Sequence, residues 1–407
     1  MHILLIHQAF ASLDEAGGTR HYELSQDLIA RGHRVTVIAS QVSYLTARSK
    51  QKTRKWIIKE EPIPGLTILR VRTYSAIHRS FLHRMIGFFT FMFSSFLAAI
   101  EVHDVEVVWG TTPPIFQAWT AWLVAWLKRA VFLLEVRDLW PAFAVAVGVL
   151  KSNLLITLSE RLERFLYRHA SRVIVNSPGF IEHVQARGAR KVDLVINGAD
   201  PEMFNPAGGG SAWRDSHALG TGFVAMYAGA HGMSNDLQVV VEAAALLQDD
   251  TEIMVVLVGD GKEKPSLQAR AEQLNLQNIR FIPSIPKQEM AQALAACDAA
   301  IAILKPIEMY KTTYPNKVFD YMAAGRPVIL AIDGVIRQVV ETAGAGIYVP
   351  PGSAAAMASA IRILKSDPDL CQKMGAAGRY AVETQYHRAF QAEQLSAILG
   401  EYRKSND

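Results

Sequence analysis

The chain has 407 residues, half of them hydrophobic and a fifth charged, so at roughly 100–200 residues per domain it holds two or three domains with a sizeable core. The two cysteines, Cys297 and Cys371, lie far apart with no ligand spacing around them, which excludes a disulfide framework and suits a reducing compartment. The net charge of +4 is uneven: residues 1–200 carry an excess of eight positive charges and the remainder an excess of four negative, so only the first half is suited to an anionic partner such as nucleic acid or an acidic membrane.

The N-terminus MHILLIHQAF is apolar only briefly and has no charged leader or cleavage site, so it reads as a first buried strand over residues 3–7 rather than an export signal. A loop containing Gly17-Gly18, a helix over about 19–31, Gly32 and a strand over 34–39 complete a βαβ unit. The alternation continues through strands at 105–109, 131–136, 173–175 and 192–196, with helices between them. Residues 197–210, NGADPEMFNPAGGG, read as a linker. The pattern then restarts with strands at 223–228, 253–258, 279–282 and 299–304 and intervening helices. The expected fold class is α/β, with two tandem Rossmann-like domains and an active site in the cleft that the strand ends face. The domains are expected at 1–198 and 199–384, with a helix over 385–407 crossing back to the first.

Residues 85–100, MIGFFTFMFSSFLAAI, form the one long uncharged run, and its 16 residues fall short of the roughly 17–25 a spanning helix needs. Two readings stand: a buried helix of the first domain, or a helix lying in a membrane interface. Arg79 and Arg84 on its flank, Phe88, Phe89 and Phe93 within it, and the basic half around it favour the membrane. Trp119, Trp122 and Trp126 share one helical face, which suits packing or an extension of that docking surface.

Several segments could carry chemistry. Gly17-Gly18 lets backbone amides approach a phosphate or sugar, although no G-x-G-x-x-G follows. Strand ends at Gly229 and at Gly259-Asp260-Gly261 offer the same closeness, and Lys264 beside the second could meet a diphosphate or lie in a solvated loop. Glu135-Val136-Arg137-Asp138 puts charge at the end of a buried strand, where Arg137 and Asp138 could hold sugar hydroxyls or an anionic leaving group, or form a structural pair. In YPNKVFDYMAAGRPVI, residues 314–329, Asn316 is an N-cap candidate for a helix that ends at Gly325 before a buried strand, and that helix start is a seat for an anion. No zinc motif or phosphate-loop motif occurs. A D-x-D at Asp367-Pro368-Asp369 falls in a polar loop between late helices, so no metal and no bound cofactor are expected.

Taken together, the Gly-Gly loop, VNSPGFIEHVQARG, INGADPEMFNP, LVGDG and PNKVFDYMAAGRPVI resemble glycosyltransferase family 4, retaining enzymes of the GT-B fold, over almost the whole chain. EVRDLWP and FDYMAAGRPV look most like bacterial enzymes that build surface polysaccharides, including transferases for N-acetyl-fucosamine-type sugars. The resemblance implies a nucleotide-sugar donor, UDP-linked for preference. Its diphosphate would lie at Asn316, Lys317 and Val318, its ribose on Asp320, and Gly17 and Gly18 would close from the first domain. It also implies metal-independent transfer to a lipid-linked saccharide at the cytoplasmic face of the inner membrane, with the anionic membrane surface as a partner and no role for nucleic acid. Three departures from the family pattern stand out. Thr312 replaces the first Glu of Glu-x7-Glu, Ala230 and Asn235 replace an Arg and a Lys, and Arg137 replaces a histidine that often meets the donor 6-hydroxyl. The last suits a 6-deoxy sugar. The first two leave Lys264 and Lys317 to supply charge, or else imply a non-catalytic nucleotide-sugar-binding partner. A sugar-nucleotide epimerase of the same fold is the other alternative.

Overall fold

The computed structural model describes residues 1–43, 55–75, 81–206 and 208–403 of the chain. They divide into two compact units, the first made of Met1–Ser12, Gly17–Ile196 and the segment from Ala389 onward, the second of Leu13–Ala16 and Asn197–Arg388. The divisions fall at 196/197 and 388/389 rather than at 198 and 384. Local bonds explain the difference: Asn197 donates from its side chain to the Tyr314 carbonyl at 2.6 Å, and Arg388 donates its amide to the Ala199 carbonyl at 2.9 Å.

The first unit carries strands β1 (His2–Ile6), β2 (Arg34–Ser40), β3 (Ile57–Ile63), β4 (Leu66–Val71), β5 (Val107–Thr112), β6 (Val131–Val136), β7 (Arg172–Val175) and β8 (Val192–Leu194). They form one sheet in the order β3-β4-β2-β1-β5-β6-β7-β8, parallel except for the β3–β4 hairpin. The chain runs outward from β1 in one direction, then restarts at β5 in the other. That reversal is the switch point at which α/β sheets collect ligands.

The second unit repeats the plan with β9 (Phe223–Ala228), β10 (Ile253–Val258), β11 (Ile279–Ile282), β12 (Ala299–Ile303), β13 (Val328–Ala331) and β14 (Gly346–Tyr348). All are parallel, in the order β11-β10-β9-β12-β13-β14, with the reversal between β9 and β12. Side chains along β9 show why the strands read as unbroken apolar runs. Val224, Met226 and Ala228 enter one core and Ala225 and Tyr227 the other, because helices cover both faces of a parallel sheet. Each large aliphatic side chain buried this way contributes about 1.5–3 kcal/mol.

The phenylalanine-rich run is a helix, Phe81–Ile100, and each sequence reading of it describes one face. Phe91, Ser95 and Ala99 are buried where it packs on β2, β4 and the helix Ile115–Lys128. Leu82, Ile86, Phe89, Phe93, Leu97 and Ile100 are exposed at three- and four-residue spacing, an apolar stripe facing solvent. By length and composition Leu82–Ile100 could also cross a membrane, being longer than the uncharged run alone suggested. Phe88 is half-buried and stacks near Phe116 at 6.0 Å. Arg84 is half-buried, and Arg79 lies outside the described residues. The Trp stripe is largely packing: Trp122 meets Phe165 edge-on at 4.7 Å, and only Trp126 is well exposed.

Candidate active site

The second unit gathers Gly229, Gly259, Lys317 and His231 at the carboxyl ends of β9 and β10. Gly229 follows β9 with φ 151° and Gly259 follows β10 with φ 146°, and a Cβ on Gly259 would lie 1.9 Å from the Gly229 carbonyl oxygen. Only glycine lets the two strand ends come this close. Gly261 packs against the His231 backbone, so its role is to hold that loop.

The helix Asn316–Ala323 begins at the same place. Pro315, in extended backbone, occupies the cap position and no side chain caps the helix, so Asn316 is its first residue and not its N-cap. One turn inside, Asn316 reaches Asp320 Oδ2 at 3.2 Å as an i,i+4 neighbour and accepts from Arg388 at 2.9 Å. Val318 turns its side chain into the core and donates its amide to the Pro315 carbonyl. The amides of Asn316 and Lys317 make no backbone hydrogen bond, which leaves them and the positive end of the helix for an anion.

Lys317 Nζ donates to the Tyr227 hydroxyl at 2.7 Å and to Asn235 Oδ1 at 3.3 Å, and lies 4.0 Å from the centre of the Tyr227 ring. Burial pushes its amine down to about 7. Lys264 is spent differently from expectation. Its three donors close the turn after β10, going to the Gly259 carbonyl at 2.8 Å, Asp260 at 2.9 Å and the Ile282 carbonyl at 3.2 Å, so it is not a spare phosphate cation. Asp320 is buried and ion-paired with Lys287 at 2.6 Å, an amine that also lies over the Phe204 ring. His231 is wholly buried with no hydrogen-bond partner on either ring nitrogen, and burial together with Lys264 pushes its imidazole down to about 4. An orphaned buried imidazole beside two strand-end glycines marks a site, and sequence reading missed it.

In the first unit the ends of β1 and β6 meet around a buried carboxylate. Glu135 accepts from Arg20 Nε at 2.9 Å and from His21 Nε2 at 2.6 Å, and all three are buried. Arg137 donates to Thr111 Oγ1 at 2.8 Å and to His7 Nε2 at 3.2 Å, which fixes His7 as a neutral acceptor. Among the described residues Asp138 makes no direct ion pair with Arg137, although each charge favours the ionised form of the other. Arg137 is instead held by Thr111, His7 and the Thr112 and Pro113 carbonyls at the end of β6. Gly17 (φ 155°) packs on Ala11, whereas nothing lies within 4 Å of a Cβ built on exposed Gly18. Arg20, His21 and His7 were not singled out from sequence. The D-x-D is a helix start and not a loop: Asp367 caps Pro368–Ala381 by accepting the Leu370 amide at 2.9 Å.

Residues 16–198 match the family described as glycosyl transferase 4-like domain, and residues 211–380 match glycosyl transferases group 1. The chain is a GT-B glycosyltransferase of family 4 type. The Escherichia coli K12 protein WcaI, assigned as a colanic acid biosynthesis glycosyl transferase, is 24% identical over 357 residues, covering 84% of this chain and 86% of WcaI. Sucrose-phosphate synthase from Thermosynechococcus elongatus superposes with a TM-score of 0.79 at 19% identity over 99% of each chain. Anabaena Alr3699/HepE, solved with UDP and glucose, gives 0.73 at 16% identity, over 98% of this chain and all of that one. The likeness to these two structures establishes the fold of the transferase and leaves its donor and acceptor to the chemistry of the site.

Proposed function

We propose that the transferase moves a sugar from a nucleotide-sugar, with UDP the first nucleotide to test, onto a lipid-linked saccharide in bacterial surface polysaccharide synthesis. The carrying observation is the anion seat in the second unit: two strand-end glycines, two unengaged helix-start amides and the Lys317 amine within one small region. That combination suits a diphosphate, because amides and amine are fixed before charge develops on the leaving group. The UDP and glucose bound by Anabaena HepE, and the colanic acid assignment of WcaI, support a UDP-sugar donor and a polysaccharide product.

In this reading the bond from the anomeric carbon to the diphosphate oxygen breaks with its electron pair on the oxygen. The acceptor hydroxyl oxygen bonds to the same face of that carbon, and its proton passes to the departing phosphate, which gives retention. The reading needs no metal: Lys317 and the helix start supply the positive field. Arg137 and Asp138 orient sugar hydroxyls at the end of β6, and Arg137 suits a donor altered at C6, such as a 6-deoxy or N-acetyl-fucosamine-type sugar. The exposed stripe of the helix Phe81–Ile100 and the basic character of residues 1–200 support work at an anionic membrane surface, on the cytoplasmic face.

The test is a panel of UDP- and GDP-sugars incubated with the protein, with and without a bacterial membrane lipid extract, scoring free nucleotide. Release that requires the extract supports the reading and names the donor. Donor turnover without any acceptor would favour an epimerase. Binding without turnover under every condition would make the chain a non-catalytic partner, as the threonine at 312 and alanine at 230 would then explain.

A further inference from the structure

Among the described residues, Lys264, Lys287 and Lys317 lie at or beside the anion seat, and of these Lys317 lacks a carboxylate partner. Lys264 is held by Asp260 at 2.9 Å and Lys287 by Asp320 at 2.6 Å. Lys317 instead touches a phenol, an amide oxygen and the face of an aromatic ring. It is also the second residue of its helix, where a positive charge meets the positive end of the helix dipole. We propose that Lys317 is a switchable cation: buried without a carboxylate partner in the free protein, it is fixed as an ammonium when the donor diphosphate binds, so that above neutral pH binding carries a proton into the site. This deepens the nucleotide-sugar reading above and rests on it.

The neighbours on every side fit this assignment. On β9, Tyr227 is fully buried and its phenol is pushed well above its ordinary range by burial, so it stays neutral, donates its proton to the Ala230 carbonyl at 2.8 Å and accepts from the amine. In the loop after β9, Asn235 is an uncharged acceptor and His231 a buried neutral imidazole. After β10, Asp260 is already committed to Lys264 and to the amide and hydroxyl of Ser284. On its own helix, Asp320 is turned to Lys287 and Asn316 to Asp320 and Arg388. No anion therefore repays the desolvation of the Lys317 charge, and burial brings its amine near neutrality. The Nζ atom lies 2.9 Å from where a Gly229 Cβ would be, over the end of β9. A diphosphate placed there supplies the missing negative charge and draws a proton onto the amine.

Calorimetry of UDP binding at pH 8 in two buffers of different ionisation heat measures the proton directly. The terminal phosphate of UDP, with a second ionisation near 6, is already charged at that pH. The expected result is uptake of close to one proton per UDP, with affinity falling about tenfold per pH unit above roughly pH 7.5. Lys317→Met should show no uptake and at least tenfold weaker binding at pH 7. Lys317→Arg, charged at every pH tested, should bind without uptake and with a flat pH profile. Thermal melts at pH 7 check that both variants fold. UDP binding by the wild type with no proton uptake, or unchanged affinity and uptake in Lys317→Met, would overturn the inference while leaving the donor reading intact. If the wild type binds neither UDP nor GDP at any pH, the donor reading fails and the inference fails with it.

Discussion

Asp320 and Lys287 meet at 2.6 Å with both side chains largely out of water. The resemblance assigns Asp320 to the donor ribose, yet the structure also makes it the counter-charge of a buried amine. Removing one member of such a pair leaves the other uncompensated, at a cost of about 3–5 kcal/mol. Asp320→Asn and Lys287→Met should each lower stability by that order in urea titrations. The double change Asp320→Leu with Lys287→Met should recover much of the loss. Inactivity of an Asp320 variant is evidence about the ribose only if the variant is shown to be folded.

The sheets were legible because residues such as Leu4, Met226 and Val256 lie in unbroken apolar runs that only a doubly covered parallel strand explains. The β3–β4 hairpin was not. Ile57–Ile63 is half-exposed and carries three charges, so it looks like loop, and its place at the sheet edge comes from pairing with β4. The anion seat was legible in part, through the helix start and the strand-end glycines. Its partners were not: Asn235 and Lys317 are 82 residues apart, and Arg20 and Glu135 are 115 apart. Nor does sequence tell that Lys264 would turn back onto its own loop.

Glu135 gives a pH-dependent prediction. Burial opposes its charge, but His21 and Arg20 more than offset burial and hold the carboxyl far below its ordinary value of 4.5. A depressed folded-state value means that the stabilisation is complete above about 4.5 and is lost as pH falls below it. Glu135→Gln should therefore be less stable than wild type by about 3–5 kcal/mol between pH 5 and 8. The difference should shrink steadily at more acid pH, as followed by urea titrations across that range.

Two glycines separate scaffold from site. Gly259→Ala would drive a methyl group to 1.9 Å from the Gly229 carbonyl and should lose at least about 3 kcal/mol, read as a lowered Tm or insoluble protein. Gly18→Ala meets nothing within 4 Å and should melt within error of wild type. If Gly18 meets the donor, as the family resemblance implies, the variant's donor KM should nevertheless rise.

Phe89 and Phe93 are more than half exposed on the stripe of the helix Phe81–Ile100. Phe89→Ser with Phe93→Ser should leave Tm unchanged and weaken co-sedimentation with anionic phospholipid vesicles at least tenfold, since each ring forfeits about 1 kcal/mol or more of interfacial burial. Raising the salt should weaken wild-type binding further if the basic first half contributes.

Transfer to a lipid-linked acceptor is decided by mass spectrometry of the lipid fraction after incubating the transferase with the donor found in the panel and a membrane lipid extract. Transfer predicts a lipid-linked saccharide heavier by one sugar residue, formed in step with free nucleotide and reduced at least tenfold in Lys317→Met. Free nucleotide or an altered sugar-nucleotide with no mass gained by any lipid would contradict it.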